Sequence, residues 1–316
     1  MGKNTPKIIY KFVGANNVDD PTEVSGILST DPSVVLSEMI ELTNVNVDNS
    51  GKVSRREGYT SIASGVPHSM WSNNKVCYFV ENGFLKQLKK DNTISIVAVL
   101  PSNKKLVYEE VNNVVVLSDD TIYKILEDGV LHDPVPSVGI PPVGGHILKL
   151  FRGRLYIANK SSIYFTLPYD IETLDISNHL IPMPSYVRMI IVVEDGLFVS
   201  TSNEIYFLKG ESPEQFEVIK VANYPAIMGT DVKVRGEIFG EALSNISDTA
   251  YIFATTQGIC VVGNGGVFEN VSKYKFQYKP GTYGTAILKE SNGITQYIMN
   301  TYSEEDEHNI YTKSDL

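Results

Sequence analysis

The sequence predicts an all-β fold: a β-propeller of six blades of four antiparallel strands, with one composite closing blade shared by the N- and C-terminal segments. Three observations carry this expectation. A unit of two apolar strands around a short polar turn recurs five times, the copies follow one another at near-regular spacing, and each chain end holds half of a further unit. A four-stranded meander of about 40 residues is the sequence form of a propeller blade.

The five copies share one pattern. Cys77-Tyr78-Phe79-Val80 turns through Glu81-Asn82-Gly83 into Phe84-Leu85, and Val114-Val115-Val116-Leu117 turns through Ser118-Asp119-Asp120-Thr121 into Ile122-Tyr123. Leu155-Tyr156-Ile157-Ala158 leads to Ile163-Tyr164-Phe165, and Leu197-Phe198-Val199-Ser200 to Ile205-Tyr206-Phe207. Tyr251-Ile252-Phe253-Ala254 leads through Thr255-Thr256-Gln257-Gly258 to Ile259-Cys260-Val261. The second strands begin at 84, 122, 163, 205 and 259, which gives steps of 38, 41, 42 and 54. β-Branched and aromatic residues fill the strands, and Asn, Asp, Ser and Gly fill the connectors. Runs such as His146 to Phe151 and Val187 to Val192 supply a strand before the pair, and hairpin returns such as Leu126 to Leu131 supply one after it.

In chain order, residues 1–32 are expected to be an extended N-terminal arm and 33–302 the propeller. Asp31-Pro32, followed by Val34, Val35, Met39 and Ile40, reads as a short helix with Pro in its first turn. The composite blade is expected from 40–65 plus 281–302, because an open ring would leave blade faces bare. The other blades are expected at about 66–100, 101–137, 145–185, 186–225 and 226–280. The long step of 54 places an extended loop at about 240–250. Residues 303–316, with Glu304-Glu305-Asp306-Glu307, read as an acidic C-terminal tail.

Composition excludes several classes of function. Hydrophobic residues make up 42% of the 316 and charged residues 20%, so a packed core is expected. Twenty-seven Lys and Arg against 37 Asp and Glu give a net charge of −10, which argues against general nucleic-acid binding. Cys77 and Cys260 offer neither a disulfide framework nor zinc spacing. No apolar run is long enough for a membrane span, and MGKNTPKIIY has no signal-peptide core, so a chain folded in a reducing compartment is expected.

No catalytic constellation stands out, and no cofactor or metal site is expected. Gly263-Asn264-Gly265-Gly266 lies between two strands instead of opening a helix, so it reads as a hairpin turn, not a phosphate loop. His68, His132, His146, His179 and His308 are scattered without recurring carboxylates. Cys77 and Cys260 read as small buried hydrophobes, and Tyr123, Tyr156, Tyr164 and Tyr206 as packing residues. Arg55-Arg56, in a chain with six arginines, is the compact basic pair; it is either a solvated edge hairpin or a partner contact.

The stretch Asn44-Val45-Asn46-Val47-Asp48-Asn49-Ser50-Gly51-Lys52-Val53-Ser54-Arg55-Arg56-Glu57-Gly58-Tyr59 resembles virion proteins of tailed bacteriophages. His68-Ser69-Met70-Trp71, Gly153 to Ala158, Asp195 to Val199 and Tyr206 to Gly210 extend the likeness. Together these pieces are similar to the tail-hub or nozzle β-propellers of short-tailed phages, including packaged-DNA stabilisation proteins. The resemblance implies a structural, non-enzymatic component of the virion tail, made in the host bacterial cytoplasm. It also implies partners: other copies in a ring, portal, adaptor and other tail proteins, with genomic DNA only passing through a channel and no membrane contact. Two alternatives are a receptor- or glycan-binding propeller at the tail tip and a propeller hydrolase with an axial site.

Overall fold

The computed structural model describes residues 11–15, 27–28, 35–39, 45–47, 52–55, 65–174, 179–237, 239, 249–272, 275–279, 281–291 and 294–303. Arg56, His308, the acidic run 304–307 and residues 240–248 of the expected long loop lie outside the described residues. The described residues fall into two compact units. One comprises those of Met1–Thr60, Ile227–Gly263 and Val267–Thr301; the other comprises those of Ser61–Ala226, Asn264–Gly266 and Tyr302–Leu316.

The unit containing residues 61–226 is built from four consecutive antiparallel sheets of four strands. The first runs β6 (His68–Ser72), β7 (Cys77–Glu81), β8 (Phe84–Leu88) and β9 (Ile94–Val99). The second is β10 (Val107–Val111), β11 (Val114–Ser118), β12 (Tyr123–Glu127) and β13 (Val130–His132). The third is β14 (Ile147–Phe151), β15 (Arg154–Asn159), β16 (Ser162–Phe165) and β17 (Leu180–Pro182). The fourth is β18 (Val187–Val193), β19 (Gly196–Thr201), β20 (Ile205–Lys209) and β21 (Glu217–Ala222). The first strands β10, β14 and β18 of successive sheets pack side by side.

The central strands of the sheets are buried on both faces. Val115 and Leu117 of β11 join Tyr78, Val80 and Leu85 of the preceding sheet in one cluster. Val116 of the same strand points the other way and joins Leu148, Leu155 and Ile157 of the following sheet. A strand buried on both faces cannot alternate apolar with polar residues, which is why the central strands read as continuous apolar runs.

Where the chain crosses from one sheet to the next, backbone groups leave the ladder and must be satisfied otherwise. Ser118 Oγ accepts the Gly145 N–H at 2.8 Å and donates to the Ile122 carbonyl at 2.7 Å. Ser200 Oγ accepts the Ala226 N–H at 2.8 Å in the same way. Both hydroxyls are fully buried. The matching position is Ala158 in β15, and there the carbonyl accepts the His146 N–H at 2.8 Å. Gly145 allows this approach, since a Cβ on it would lie 2.5 Å from the Ala158 oxygen.

In the other unit, β22 (Val232–Arg235), β23 (Thr249–Thr255), β24 (Gly258–Gly263) and β25 (Val267–Asn270) form a fifth four-stranded antiparallel sheet. The hairpin β26 (Tyr283–Ser291) and β27 (Ile294–Tyr302) packs against it, with β26 beside β22. Leu288 and Tyr297 cover Val234, Ile252 and Val261, and Tyr297 donates to the Thr230 carbonyl at 2.7 Å.

The two segments expected to share the closing blade, 40–65 and 281–302, each contribute a hairpin among the described residues: β4 (Val45–Val47) with β5 (Val53–Arg55), and β26 with β27. The nine-residue strands β26 and β27 pair with each other, while β4 and β5, at three residues each, pair through Val45↔Arg55 and Val47↔Val53. One expectation needs correction: within the helix expected from Asp31 to Ile40, the described residues Val35–Met39 are strand β3, central between β1 (Lys11–Ala15) and β2 (Ile27–Leu28). β3 pairs in parallel with β1 and antiparallel with β2. Pairing on both edges satisfies its backbone in a way the local Pro signal does not register.

Replacing Ser118 or Ser200 by Ala leaves a buried N–H without an acceptor, at a cost of about 1–3 kcal/mol each. Urea denaturation should show a lower midpoint with an unchanged slope.

Candidate functional site

With the sheet faces filled, the side chains left open lie on connections and outer strands. The segment 133–140 after β13 and the segment 166–174 after β16 are bound to one another. The Ile140 and Leu174 backbones exchange hydrogen bonds at 3.2 and 2.9 Å. Ser137 donates its N–H to Thr173 Oγ1 at 3.0 Å and its hydroxyl to Asp170 at 2.7 Å. The Val135 N–H bonds the Glu172 carboxylate, and Tyr123 donates its hydroxyl to the Ile171 carbonyl at 2.6 Å. Pro134 and Pro136 restrict the backbone on either side of Val135.

This pinned pair of loops turns apolar groups outward. Val135 is 75% exposed, Val138 64% and Tyr169 87%. Tyr169 also sits at φ 59°, in the left-handed region that a bulky residue rarely adopts, and its N–H bonds the Gly153 carbonyl at 2.6 Å. An exposed apolar surface held by its own hydrogen bonds loses little entropy on docking.

The outer strand β9 is the second open feature. Ile94, Ile96 and Val99 are exposed along it. Outer strands are usually shielded by shortness, charge or Pro. β13 is three residues long, β17 ends in Pro182, and β21 carries Glu217 and Lys220. β9 has six residues, no charge and no Pro, and is interrupted by the register shift that leaves Val97 unpaired. β9 lies beside β13, and a groove of about 490 Å³ runs between their sheets, lined in part by Gln87, Ser95, Ile96, Leu126 and Asp128. Polar groups in the groove bind across it: Lys75 donates to Asn113 and Asn73 to Glu110, each at 3.0 Å.

The residues singled out in the sequence lie elsewhere. Arg55 is exposed on β5, opposite Val45. Cys260 is buried with Thr255 Oγ1 at 3.7 Å, and burial pushes the half-buried Cys77 thiol up. Among the described residues, no three His, Cys, Asp or Glu side chains gather as metal ligands. His68 bonds Ser69 and Asn103, His132 lies 3.9 Å from Glu127, and His179 stacks on Phe165. At Gly265, the backbone N–H donates to the Asp195 carboxylate at 3.0 Å, so a side chain of this chain takes the place an anion would need.

His146 is the most constrained imidazole. Its Nε2 bonds the Val187 carbonyl at 2.7 Å and its ring stacks on Tyr186. Burial pulls its pKa below the ordinary value near 6.5, against the pull of the Val187 carbonyl and the Asp120 carboxylate 3.6 Å from Nδ1. Burial likewise pushes up the hydroxyls of Tyr108, Tyr123 and Tyr156.

No known family and no curated protein matches the chain. Solved structures do resemble it. The extracellular domain of the two-component system protein BT4673 from B. thetaiotaomicron matches with a TM-score of 0.50 at 11% identity, covering 78% of this chain and 33% of that one. This chain therefore spans about a third of that relative. The N-terminal domain of Nup159 matches with a TM-score of 0.45 at 11% identity, covering 73% and 72%. The gluconolactonase XC5397 from Xanthomonas campestris gives 0.39 at 11%, covering 65% and 73%. The chain has a β-propeller fold. Likeness at this identity carries the fold alone. No helix among the described residues is long and apolar enough to cross a membrane.

Two expectations follow. A His whose pKa is depressed by folding costs stability as pH falls from its unfolded value toward its folded one, because the unfolded chain binds the proton first. The melting temperature should therefore drop below pH 6.5, and His146→Gln should flatten part of that drop. At Tyr169, substitution by Asn, which tolerates positive φ, should leave stability level or raise it by up to about 1 kcal/mol in thermal melts.

Proposed function

We propose that this chain is a structural β-propeller of a bacteriophage virion, a tail hub, nozzle or head-to-tail region protein that docks copies of itself and other tail proteins beside the DNA exit channel. The observation that carries this reading is the pinned pair of loops, 133–140 with 166–174, which holds Val135, Val138 and Tyr169 open to solvent. A rigid apolar surface of this kind serves recognition of a protein partner.

Two further features support the reading. The stretch from Asn44 to Tyr59, with Arg55 exposed, resembles tail-hub proteins of short-tailed phages. Buried polar side chains such as Ser118, Ser200, Thr230 and His146 are engaged in holding backbone groups at sheet crossings. A net charge of −10 also suits a conduit for DNA, since an acidic wall does not hold a moving polyanion.

Mass spectrometry of purified particles should recover the protein at a fixed copy number, with antibody labelling on the tail. Recovery only from the host-cell fraction, or turnover of a sugar or lactone by the isolated chain, would sink the reading.

A further inference from the structure

Opposite charges are sorted along this chain. Residues 65–106 carry six lysines against Glu81 and Asp91, a net of +4 within a chain of net −10. Residues 107–140 carry Lys124 against seven carboxylates, a net of −6. The sorting coincides with the open surfaces. β9 is preceded by exposed Lys89 and Lys90 and followed by exposed Lys104 and Lys105, with Ile94, Ile96 and Val99 between them. The adjacent β13 is bracketed by exposed Glu127, Asp128 and Asp133, the last bonded by Lys124, and it leads directly into Val135 and Val138. Exposed apolar groups therefore accompany both the basic segment and the acidic one.

We propose that a second copy of this chain makes a crossed contact with it: the lysine-flanked β9 of one copy lies on the acid-flanked β13 and the 133–140 loop of the other. Apolar burial supplies the driving force, and the charges set which segments meet. β9 against β9 would bring lysines against lysines, and β13 against β13 would bring carboxylates against carboxylates. Only the crossed arrangement sets opposite charges of the two copies against each other. It deepens the assembly reading above by naming the faces through which copies meet, and it rests on that reading only in this respect.

Sedimentation velocity of the full chain tests the contact. The wild-type protein should self-associate with rising concentration, more weakly as salt is raised. The double variants Lys89→Glu/Lys90→Glu and Glu127→Lys/Asp133→Lys should each weaken self-association at least about tenfold. An equal mixture of the two should recover it, because the reversed β9 of one variant meets the reversed β13 of the other. Ile96→Lys, at an exposed position, gives an independent loss if either double variant fails to fold. A single monomer boundary for wild type up to about 100 μM overturns the proposal. Association unchanged in the variants overturns it, as does a mixture no more associated than its parts, or a monomer whose lysines retain duplex DNA instead. Absence of the protein from phage particles would remove the virion reading and leave the sedimentation result standing.

Discussion

Burial of the central strands on both of their faces is the constraint from which the rest follows. β11 shows it most clearly: Val115 and Leu117 belong to one inter-sheet cluster and Val116 to the next. A strand in that position has no solvent face on which to place a reactive group. Buried serine hydroxyls mark strand ends, where the chain crosses between sheets and the ladder stops. Ser118 and Ser200 sit there, and their hydroxyls are fully used by backbone groups. Chemistry that must meet solvent or a partner is thereby displaced to outer strands and connections, where loops on a rigid scaffold commonly carry function.

The same constraint explains what was legible in the sequence. Two-sided burial produces short unbroken apolar runs, and the crossings demand Ser, Gly and Asp between them, so the repeat at 84, 122, 163, 205 and 259 stands out. The strand Val35–Met39 was not legible, because its partners β1 and β2 lie at separated positions and its own residues carry a helix-start signal in Asp31-Pro32. The half-units at both ends were legible because each is a local hairpin, β4 with β5 and β26 with β27.

The loop surface was missed for a different reason. Ser137 and Asp170 are bland residues 33 positions apart, and only the fold brings them together. The one local hint was the spacing of Pro134, Pro136, Pro141 and Pro142 around Val135, Val138 and Ile140, which is unusual for a solvated connection. Arg55, the compact basic feature that did stand out, sits exposed on a three-residue strand. Charge density along the sequence drew attention there, whereas the lysines around β9 are spread over two turns and gain meaning only once the strand between them is known to be open.

An open outer strand is a hazard as well as an opportunity. Its unpaired backbone edge and the exposed Ile94, Ile96 and Val99 would attract any extended apolar segment, including another β9. The lysines at both ends of β9 alter that balance. They make like-with-like pairing unfavourable without placing a charge inside the strand, where it would remove the apolar surface itself. They leave an acid-flanked surface as the favoured occupant, and the chain carries one on the neighbouring sheet, at Glu127, Asp128 and Asp133. On this argument charge at the ends of the strand provides selectivity and the apolar middle provides affinity. Both properties rest on sheets whose faces are already filled, because a blade free to rearrange could bury Ile96 against its own core instead of presenting it.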